Sequence, residues 1–481
     1  MARGPLQPGT MVDGYRLDER IHRSSMSAIW RVTRPGADGP PLAMKIPLLE
    51  DYETPAPIIG FEVESMILPT LSGPHVPRFV AAADFSSQPY LVMEFLEGPS
   101  LRARLERLPL EPAEVAAIGA RVATALHDVH RQGVIHLDVK PSNVLFRPTG
   151  EAVLIDFGLA RHDRLPDLHA EELRVPVGTG PYISPEQVRR TRNDPRSDLF
   201  ALGVVLYHLS TGRRPFGNPT TMHGLRRRLY RDPAPPRSLD PAYPPWLQEI
   251  VLRCLEMDSA ARYETAAQLA FELQHPDRVR RTARAERVSR DSLWTVGRRY
   301  FRSLGAEPDL RQSAAGQLSR APIVVVAIDL AQGSEALDDA LRQAARRILE
   351  AGPGARLACV TVLKTSILGM DEPLDEQGRN RHVQGLIELE HWARPLRLPP
   401  GRVTYHVLEA PDPGSAILDF VNASNADQIL IGSRGSSTLR RYLGSVSSQV
   451  VASAECTVTV VKARTDDAPD RGIEKKDAST T

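Results

Sequence analysis

The chain has 481 residues, a hydrophobic fraction of 42% and a formal net charge of +1. At roughly 100–200 residues per domain this length predicts two or three domains, and the balanced charge excludes a general electrostatic attraction to nucleic acid. The three cysteines are widely spaced, which is typical of reduced thiols rather than of a disulfide framework. No apolar run reaches the roughly 20 residues of a membrane span, and the first 15 residues lack the apolar segment of a secretory signal. We therefore expect a soluble, cytoplasmic protein with no transmembrane segment and no nucleic-acid partner.

Short strands followed by longer helices are predicted for residues 12–275. Alternating apolar and polar residues indicate the strands, and apolar residues that recur every three or four positions indicate the helices. This order predicts a small sheet-rich lobe joined to a larger helical lobe. The predicted strands are Tyr15–Arg20, Ile29–Thr33, Leu42–Ile46, Phe79–Asp84 and Tyr90–Phe95, and the predicted helices are Pro57–Leu71, Glu114–Gln132, Ser197–Thr211, Trp246–Glu256 and Ala266–Gln274.

Residues 276–320 form a basic linker that is rich in arginine and poor in apolar residues. One face of a possible helix in this linker would carry Leu293, Val296, Tyr300 and Leu304, with Phe301 beside it. The interpretation we favour is a linker helix that docks on the preceding domain. A basic amphipathic helix can instead lie on a membrane surface or in the groove of a partner.

Apolar strands alternate with helical segments in residues 321–463. Continuous β-branched runs separated by helices are typical of a buried parallel sheet, so we expect a doubly wound α/β domain here. The remaining residues, 464–481, are polar and charged and are predicted to be disordered. The predicted strands are Ile323–Ile328, Leu357–Val362, Val403–Leu408, Gln428–Ile431 and Thr457–Val461.

Two motifs in the first region point to phosphoryl transfer. Residues 136–143 read His-Leu-Asp-Val-Lys-Pro-Ser-Asn, and Asp156-Phe157-Gly158 follows them. This reaction needs a carboxylate to orient the attacking hydroxyl, a cation near the γ-phosphate and oxygen ligands for Mg²⁺. The motifs resemble the catalytic loop and metal-binding turn of protein kinases, which implies the bilobal kinase fold and the use of ATP and Mg²⁺. The resemblance implies that Asp138 orients the hydroxyl, that Lys140 stabilises the transferred charge, and that the metal is held by Asn143 and Asp156.

The same resemblance implies where ATP binds. Lys45, in Ala43-Met44-Lys45, is similar to the strand lysine that contacts the α- and β-phosphates in this family. Its expected partner is Glu64 on the following helix, with Glu62 as the second choice. Residues 91–95 are similar to the hinge between the lobes, so Met93 would border the adenine pocket and the main chain near Glu94 would bond the base. Further matches imply that Asp198 braces the catalytic loop and that Glu186 pairs with Arg262.

Leu137 stands where an arginine usually precedes the catalytic aspartate. That arginine normally binds a phosphorylated residue of the activation loop, and leucine cannot do so. Residues 159–177 contain no serine, threonine or tyrosine, and the first hydroxyl is that of Thr179. Because Gly178-Thr179 resembles the substrate-docking segment of serine/threonine kinases, we predict a kinase of that type that is not switched by phosphorylation of this loop.

The loop that is rich in glycine in protein kinases has none of those glycines here. His22, Ser24 and Ser27 stand in their places. Glycine lets backbone N–H groups approach phosphate oxygens without a Cβ in the way. Ser24 and Ser27 are small enough for the loop to cover ATP, with slower turnover. The alternative is a catalytically weak pseudokinase that acts as an adenine-nucleotide sensor or as a scaffold for partners.

The last domain resembles the universal stress protein family. The resemblance rests on residues 324–329, 426–435 and 444–447. In members that bind ATP, glycines after a strand accept the phosphates at a helix N-terminus and an early aspartate lies near the ribose. The matching residues here are Asp329, Gly432, Gly435, Gly444 and Ser445, although the spacing before Gly444 is one residue shorter than in the family. The domain could therefore bind a second adenine nucleotide, form a dimer or regulate the kinase. The partners of the kinase itself would be proteins with serine or threonine hydroxyls.

Overall fold

The computed structural model describes residues 6–304 except 25, 37–38, 49–55 and 173–174. It also describes residues 322–462 except 332, 353, 366–373, 376, 378, 400–401 and 434–443. The chain divides into two compact units, the first built from residues up to 320 and the second from most of the residues after it. In the described ranges, no helix is both long enough and apolar enough to cross a membrane.

An antiparallel sheet forms the first lobe of the first unit. In the described ranges its strand order is β1-β2-β3-β4-β6-β5, and helix α1 (Ala56–Ile67) follows β4. Apolar residues at alternate positions of β2 to β4 build its core, which includes Leu17, Trp30 and Met44. The strands are β1 (Met11–Val12), β2 (Tyr15–Arg23), β3 (Ser27–Thr33), β4 (Leu42–Pro47), β5 (Phe79–Ala83) and β6 (Tyr90–Glu94).

Helices form most of the second lobe. Helix α2 begins with Pro112, a residue that suits the first helical position, and Gly212, whose φ of 69° is left-handed, caps the C-terminus of α5. The α-helices are α2 (Pro112–Arg131), α3 (Leu168–Glu172), α4 (Pro185–Val188), α5 (Arg196–Thr211), α6 (Met222–Arg226), α7 (Pro245–Cys254), α8 (Ala266–Gln274) and α9 (Leu293–Leu304). Two short antiparallel strand pairs also belong to this lobe, formed by β7 (Val134–Ile135) with β10 (Arg161–His162) and by β8 (Val144–Phe146) with β9 (Ala152–Leu154).

The residues after α8 pack on the helical lobe. Glu249 of α7, only 2% exposed, accepts hydrogen bonds from the backbone of Thr282 and Ala285 and from the side chain of Arg284.

Short 3₁₀ helices in the described ranges are Leu68–Thr70, Leu101–Arg107, Pro141–Asn143, Arg227–Leu229, Pro236–Ser238, Ser259–Ala261, Pro276–Arg278 and Arg394–Leu396.

The second unit is a parallel sheet with helices, as the continuous β-branched runs predicted. Its strand order is β13-β12-β11-β14-β15 in the described ranges, so the order reverses between β11 and β14. The strands are β11 (Ile323–Ala327), β12 (Arg356–Lys364), β13 (Val403–Ala410), β14 (Gln428–Ser433) and β15 (Thr457–Lys462). The helices are α10 (Glu335–Ala351), α11 (Arg381–Ala393), α12 (Pro413–Ser424) and α13 (Ser445–Ser453). The fold classes predicted for both units are confirmed.

Candidate active site

A buried aspartate on α5 fixes the loop that carries the motif 136–143. Asp198 is fully buried and accepts the backbone N–H groups of His136 at 2.9 Å and of Leu137 at 2.8 Å. His130 of α2 donates to the same carboxylate at 2.8 Å. Leu137 has a φ of 60°, a conformation that is strained for a leucine and persists only where neighbours impose it. Asp198 therefore braces the loop, and the next residue, Asp138, is held in one position.

The carboxylate of Asp138 lies at the centre of a compact polar group. Its Oδ1 accepts the hydroxyl of Thr179 at 2.6 Å, and its Oδ2 accepts the ammonium of Lys140 at 2.6 Å and the amide of Asn143 at 3.1 Å. Lys140 also donates to the hydroxyl of Thr179 at 3.0 Å. Asp138 is only 6% exposed. One carboxylate is thus aimed at a hydroxyl, with a cation beside both.

A second ionic group joins the two lobes at the site. Lys45 of β4 donates to Glu64 of α1 at 2.5 Å and to Asp156 at 2.8 Å, and Glu64 also accepts the backbone N–H of Phe157 at 3.2 Å. Burial disfavours the charge of Lys45, but Asp156 and Glu64 outweigh that effect and raise the pKa of Lys45. Conversely, the charge of Lys45 lowers the pKa of Asp156 to about 2. Glu64, and not Glu62, is the partner of Lys45.

Asp156 and Asn143 have the chemistry that Mg²⁺ requires. Asp156 is ionised at neutral pH because of its low pKa, and Asn143 offers an amide oxygen. Carboxylate and amide oxygens are the hard ligands that Mg²⁺ binds, usually together with substrate phosphates. Nowhere in the described ranges do three or more acidic, histidine or cysteine side chains form a group that could hold a metal ion. A metal at this site would therefore depend on phosphate oxygens to complete its shell.

Ser24 shapes the loop between β2 and β3. Its hydroxyl oxygen accepts the backbone N–H groups of Met26 at 3.1 Å and of Ser27 at 3.0 Å, and its own N–H donates to the carbonyl of Ser27 at 2.9 Å. Ser27 begins β3 and is only 9% exposed. Two amides that could face a phosphate are therefore bonded within the loop.

The segment after β6 is tied to the helical lobe. Both carboxylate oxygens of Glu94 accept hydrogen bonds from the guanidinium of Arg147, which lowers the pKa of Glu94. Met93 lies in the sheet between Ala43 of β4 and Phe79 of β5. Since the side chain of Glu94 is used by Arg147, only main-chain groups near it would bond a base.

Arg192 and Asp167 fasten the segment that follows Asp156-Phe157-Gly158. The Nε of Arg192 lies 3.0 Å from each carboxylate oxygen of Asp167, and its Nη2 donates to the carbonyl of Leu159 at 2.9 Å. Arg161 approaches Asp167 at 3.6 Å. The Nε2 of His169, on α3, donates to the carbonyl of Gly158 at 2.7 Å. The carboxylate of Asp167 in this segment therefore binds the guanidinium of Arg192. Leu137 is buried and has no charge with which to hold the segment.

Arg192, Asp167 and His169 were missed by the sequence analysis. Arg192 lies 25 residues from Asp167 along the chain, and no motif or period connects them. The one signal in the sequence was the absence of an arginine at position 137, which suggests that an arginine elsewhere in the chain binds this segment. The expected pair of Glu186 and Arg262 is present, with Nη1 of Arg262 at 2.5 Å from the carboxylate.

In the second unit, the predicted nucleotide residues follow two neighbouring strands. Asp329 comes after β11 and Gly432 lies in β14, at the point where the strand order reverses, which is where ligands bind in open α/β sheets. A Cβ on Gly432 would lie 2.8 Å from a terminal methyl group of Leu337, so a larger residue here would displace that side chain. Gly444 and Ser445 begin α13, and Gly435 lies outside the described residues.

Comparison with known proteins assigns each of the two units to a protein family. Residues 35–275 match the protein kinase domain family, and residues 322–462 match the universal stress protein family. Serine/threonine-protein kinase PknL of Mycobacterium tuberculosis is 31% identical over 273 residues, which are 56% of this chain and 68% of PknL. Serine/threonine-protein kinase Pkn1 of Myxococcus xanthus is 32% identical over 294 residues, which are 60% of this chain and 42% of Pkn1. The chain spans between 33% and 68% of the length of eight curated relatives to which it is similar.

Proposed function

The chain belongs to the protein kinase family, and from this premise we propose that it transfers the γ-phosphate of ATP to serine or threonine hydroxyls of other proteins. The observation that carries the proposal is the position of Asp138, whose carboxylate lies 2.6 Å from a hydroxyl and 2.6 Å from the ammonium of Lys140. A substrate hydroxyl that replaces Thr179 at Oδ1 would donate its proton to the same oxygen.

The groups around Asp138 account for each bond and proton in the proposed reaction. The acceptor oxygen forms a bond to the γ-phosphorus, the bond from that phosphorus to the β,γ-bridging oxygen breaks, and ADP leaves. The hydroxyl proton passes to Asp138, while Lys140 stabilises charge on the transferred group. Lys45, held by Glu64, would bind the α- and β-phosphates. Mg²⁺ bound by Asn143 and Asp156 would neutralise charge on the β- and γ-phosphates.

The test is phosphate transfer from γ-labelled ATP, with Mg²⁺, to the chain itself and to a generic protein substrate. Wild type is measured beside Asp138→Asn, which removes the proton acceptor and keeps the shape. Asp163→Asn is the matched control, because its aspartate is 57% exposed in the same lobe. Equal labelling by wild type and Asp138→Asn contradicts the proposal.

We further propose that phosphorylation of the loop that runs from residue 159 to Thr179 does not control the activity. The ion pair of Arg192 with Asp167 supports this, since it supplies an arginine and a negative charge without a modification. Mass spectrometry after self-phosphorylation, with the activity measured before and after treatment with a phosphatase, tests it. Abundant phosphate on Thr179 that activity requires would contradict it.

A weak pseudokinase is the second candidate, and Ser24 favours it. Its hydroxyl occupies two loop amides, which lowers the number of donors available to phosphate. This candidate predicts that ATP raises the melting temperature of the chain while labelled phosphate transfer stays at the level of Asp138→Asn.

For the chain as a whole we propose four parts: a catalytic domain at 12–275, a basic linker at 276–320, a stress-protein domain at 321–463 and a tail at 464–481. We propose that the stress-protein domain binds a second nucleotide and regulates the kinase. Dimerisation through the stress-protein domain and a cytoplasmic location belong to the same proposal. Among the described residues, a Cβ on Gly444 would meet nothing within 4 Å, so Gly444→Ala places a Cβ at the proposed phosphate site without a clash with them. Equilibrium dialysis should give two ATP per wild-type chain and one for this variant, and one ATP per wild-type chain contradicts the second site.

A further inference from the structure

One face of α9 is fixed against the helical lobe. The ring of Tyr300 meets that of Tyr230 edge-on, with centroids 5.1 Å apart. On the same side, Nη1 of Arg299 lies 3.2 Å from a carboxylate oxygen of Asp232 and 2.9 Å from one of Asp291. These contacts set the rotation of the helix about its axis, and therefore decide which residues point away from the lobe.

The outward face of α9 consists of Trp294, Arg298, Phe301 and Arg302. These residues follow each other at helical spacing and lie on one side. Trp294 is 72% exposed and Phe301 is 73% exposed, the highest values for large hydrophobic side chains in the described ranges. The guanidinium of Arg298 lies 5.1 Å from the ring centroid of Trp294. Two exposed aromatic rings two turns apart on one helix face form an apolar patch of the kind that marks a contact site.

Helix α9 and the 3₁₀ helix that contacts it carry arginines and no acidic side chain. The 3₁₀ helix Arg227–Leu229 contacts α9, and it exposes Arg227, with Arg226 also exposed just before it. Arg299, by contrast, is already paired with the lobe, so Arg298 and Arg302 are the cations of the helix that face outward.

Aromatic rings beside arginines match the layered chemistry of an anionic lipid surface. Tryptophan and phenylalanine partition into the boundary between headgroups and acyl chains, and arginine binds lipid phosphates. A helix of 12 residues is about 18 Å long, too short for the roughly 30 Å hydrocarbon core of a bilayer, and its inner face is already occupied. It can therefore lie only along the surface.

We propose that the outward face of α9 binds the surface of an anionic lipid bilayer and holds the helical lobe against it. The interaction is independent of the kinase reaction, since none of these residues contacts Asp138, Lys45 or Asp156. It reconciles the two interpretations of the linker helix, because one face docks on the lobe while the other contacts lipid.

The test is flotation of the full chain with vesicles of phosphatidylcholine alone or of equal parts phosphatidylcholine and phosphatidylglycerol. We expect binding to the anionic vesicles, weakened by salt, and a blue shift of tryptophan emission that Trp294→Phe removes. Trp294→Ser with Phe301→Ser, and separately Arg298→Glu with Arg302→Glu, should each reduce the bound fraction at least about tenfold. Phe271→Ser with Arg278→Glu is the matched control, because Phe271 is 45% exposed and Arg278 lies 5.8 Å from its ring.

The proposal is overturned if wild type binds neither vesicle, or if it binds both equally. It is also overturned if the α9 variants bind as wild type does, or if the Phe271 control loses as much. Sedimentation velocity distinguishes another occupant: a wild-type dimer that Trp294→Ser with Phe301→Ser converts to a monomer, without vesicle binding, assigns the face to a second copy of the chain. Unchanged melting temperatures exclude misfolding of the variants as the cause.

Discussion

Replacing Arg192 by methionine should lower turnover without weakening ATP binding. Arg192 is 8% exposed and its Nε lies 3.0 Å from both oxygens of Asp167. Removing one partner of a buried ion pair costs about 3–5 kcal/mol. The lower end applies, because Asp167 keeps Arg161 at 3.6 Å. About 3 kcal/mol corresponds to roughly a hundredfold change in the population of the ordered segment, so kcat should fall by about 10- to 100-fold.

Steady-state kinetics at saturating protein substrate, with ATP varied, measures this effect. The KM for ATP should change by less than about twofold, since Arg192 contacts none of Lys45, Glu64 and Asp156. Arg164→Met is the control, because Arg164 is 87% exposed on the same segment. Asp167→Asn combined with Arg192→Met should be no slower than Arg192→Met alone, as residues that act as one pair are not additive. An unchanged kcat for Arg192→Met, or a KM for ATP that rises as kcat falls, refutes the reasoning.

Further substitutions test the phosphate loop, the partner of Lys45 and the stability of the segment after Gly158. Ser24→Gly should lower the KM for ATP about two- to fivefold, because it releases two loop amides toward phosphate; a higher KM would contradict this. Glu64→Gln should lower kcat/KM at least about tenfold, because it breaks the ion pair with Lys45. Glu62→Gln is the control and should have little effect, since burial raises the pKa of Glu62 to about 8 and keeps the carboxyl group mostly protonated at pH 7. Burial lowers the pKa of His169 to about 4 from the usual 6.5. The unfolded chain therefore binds a proton first, and the free energy of unfolding should fall between pH 6.5 and pH 4 by up to about 1.4 kcal/mol per pH unit. Urea unfolding of His169→Gln should show a flatter pH dependence, and an unchanged one argues against it.

The sequence predicted that the polar side chains of residues 138–143 would lie together, because phosphoryl transfer needs few groups at short, fixed spacing. Asp138, Lys140 and Asn143 lie within six residues of each other, so one loop positions all three. The parallel sheet was also predictable, since strands such as Ile323–Ala327 are buried on both faces and their apolar run is continuous.

Contacts between distant segments could not be predicted in the same way. The pair of Arg192 and Asp167 depends on where the connection between α4 and α5 meets the segment after Asp156, and neither residue belongs to a motif. Ser24 was judged by its size, whereas its effect comes from the two amides that its hydroxyl binds. For α9, the periodicity indicated an amphipathic helix, but only the contacts of Arg299 and Tyr300 reveal which face is occupied.

The most direct test of the central claim is the rate at which wild type and Asp138→Asn form phosphoserine and phosphothreonine from ATP and Mg²⁺. General base groups typically contribute 10²- to 10⁴-fold, so we expect the variant to be slower by about that factor, with a KM for ATP close to that of wild type. Phosphoamino acid formation by wild type that equals the background of Asp138→Asn, while ATP still raises the melting temperature of both, would contradict the account and leave a nucleotide-binding scaffold.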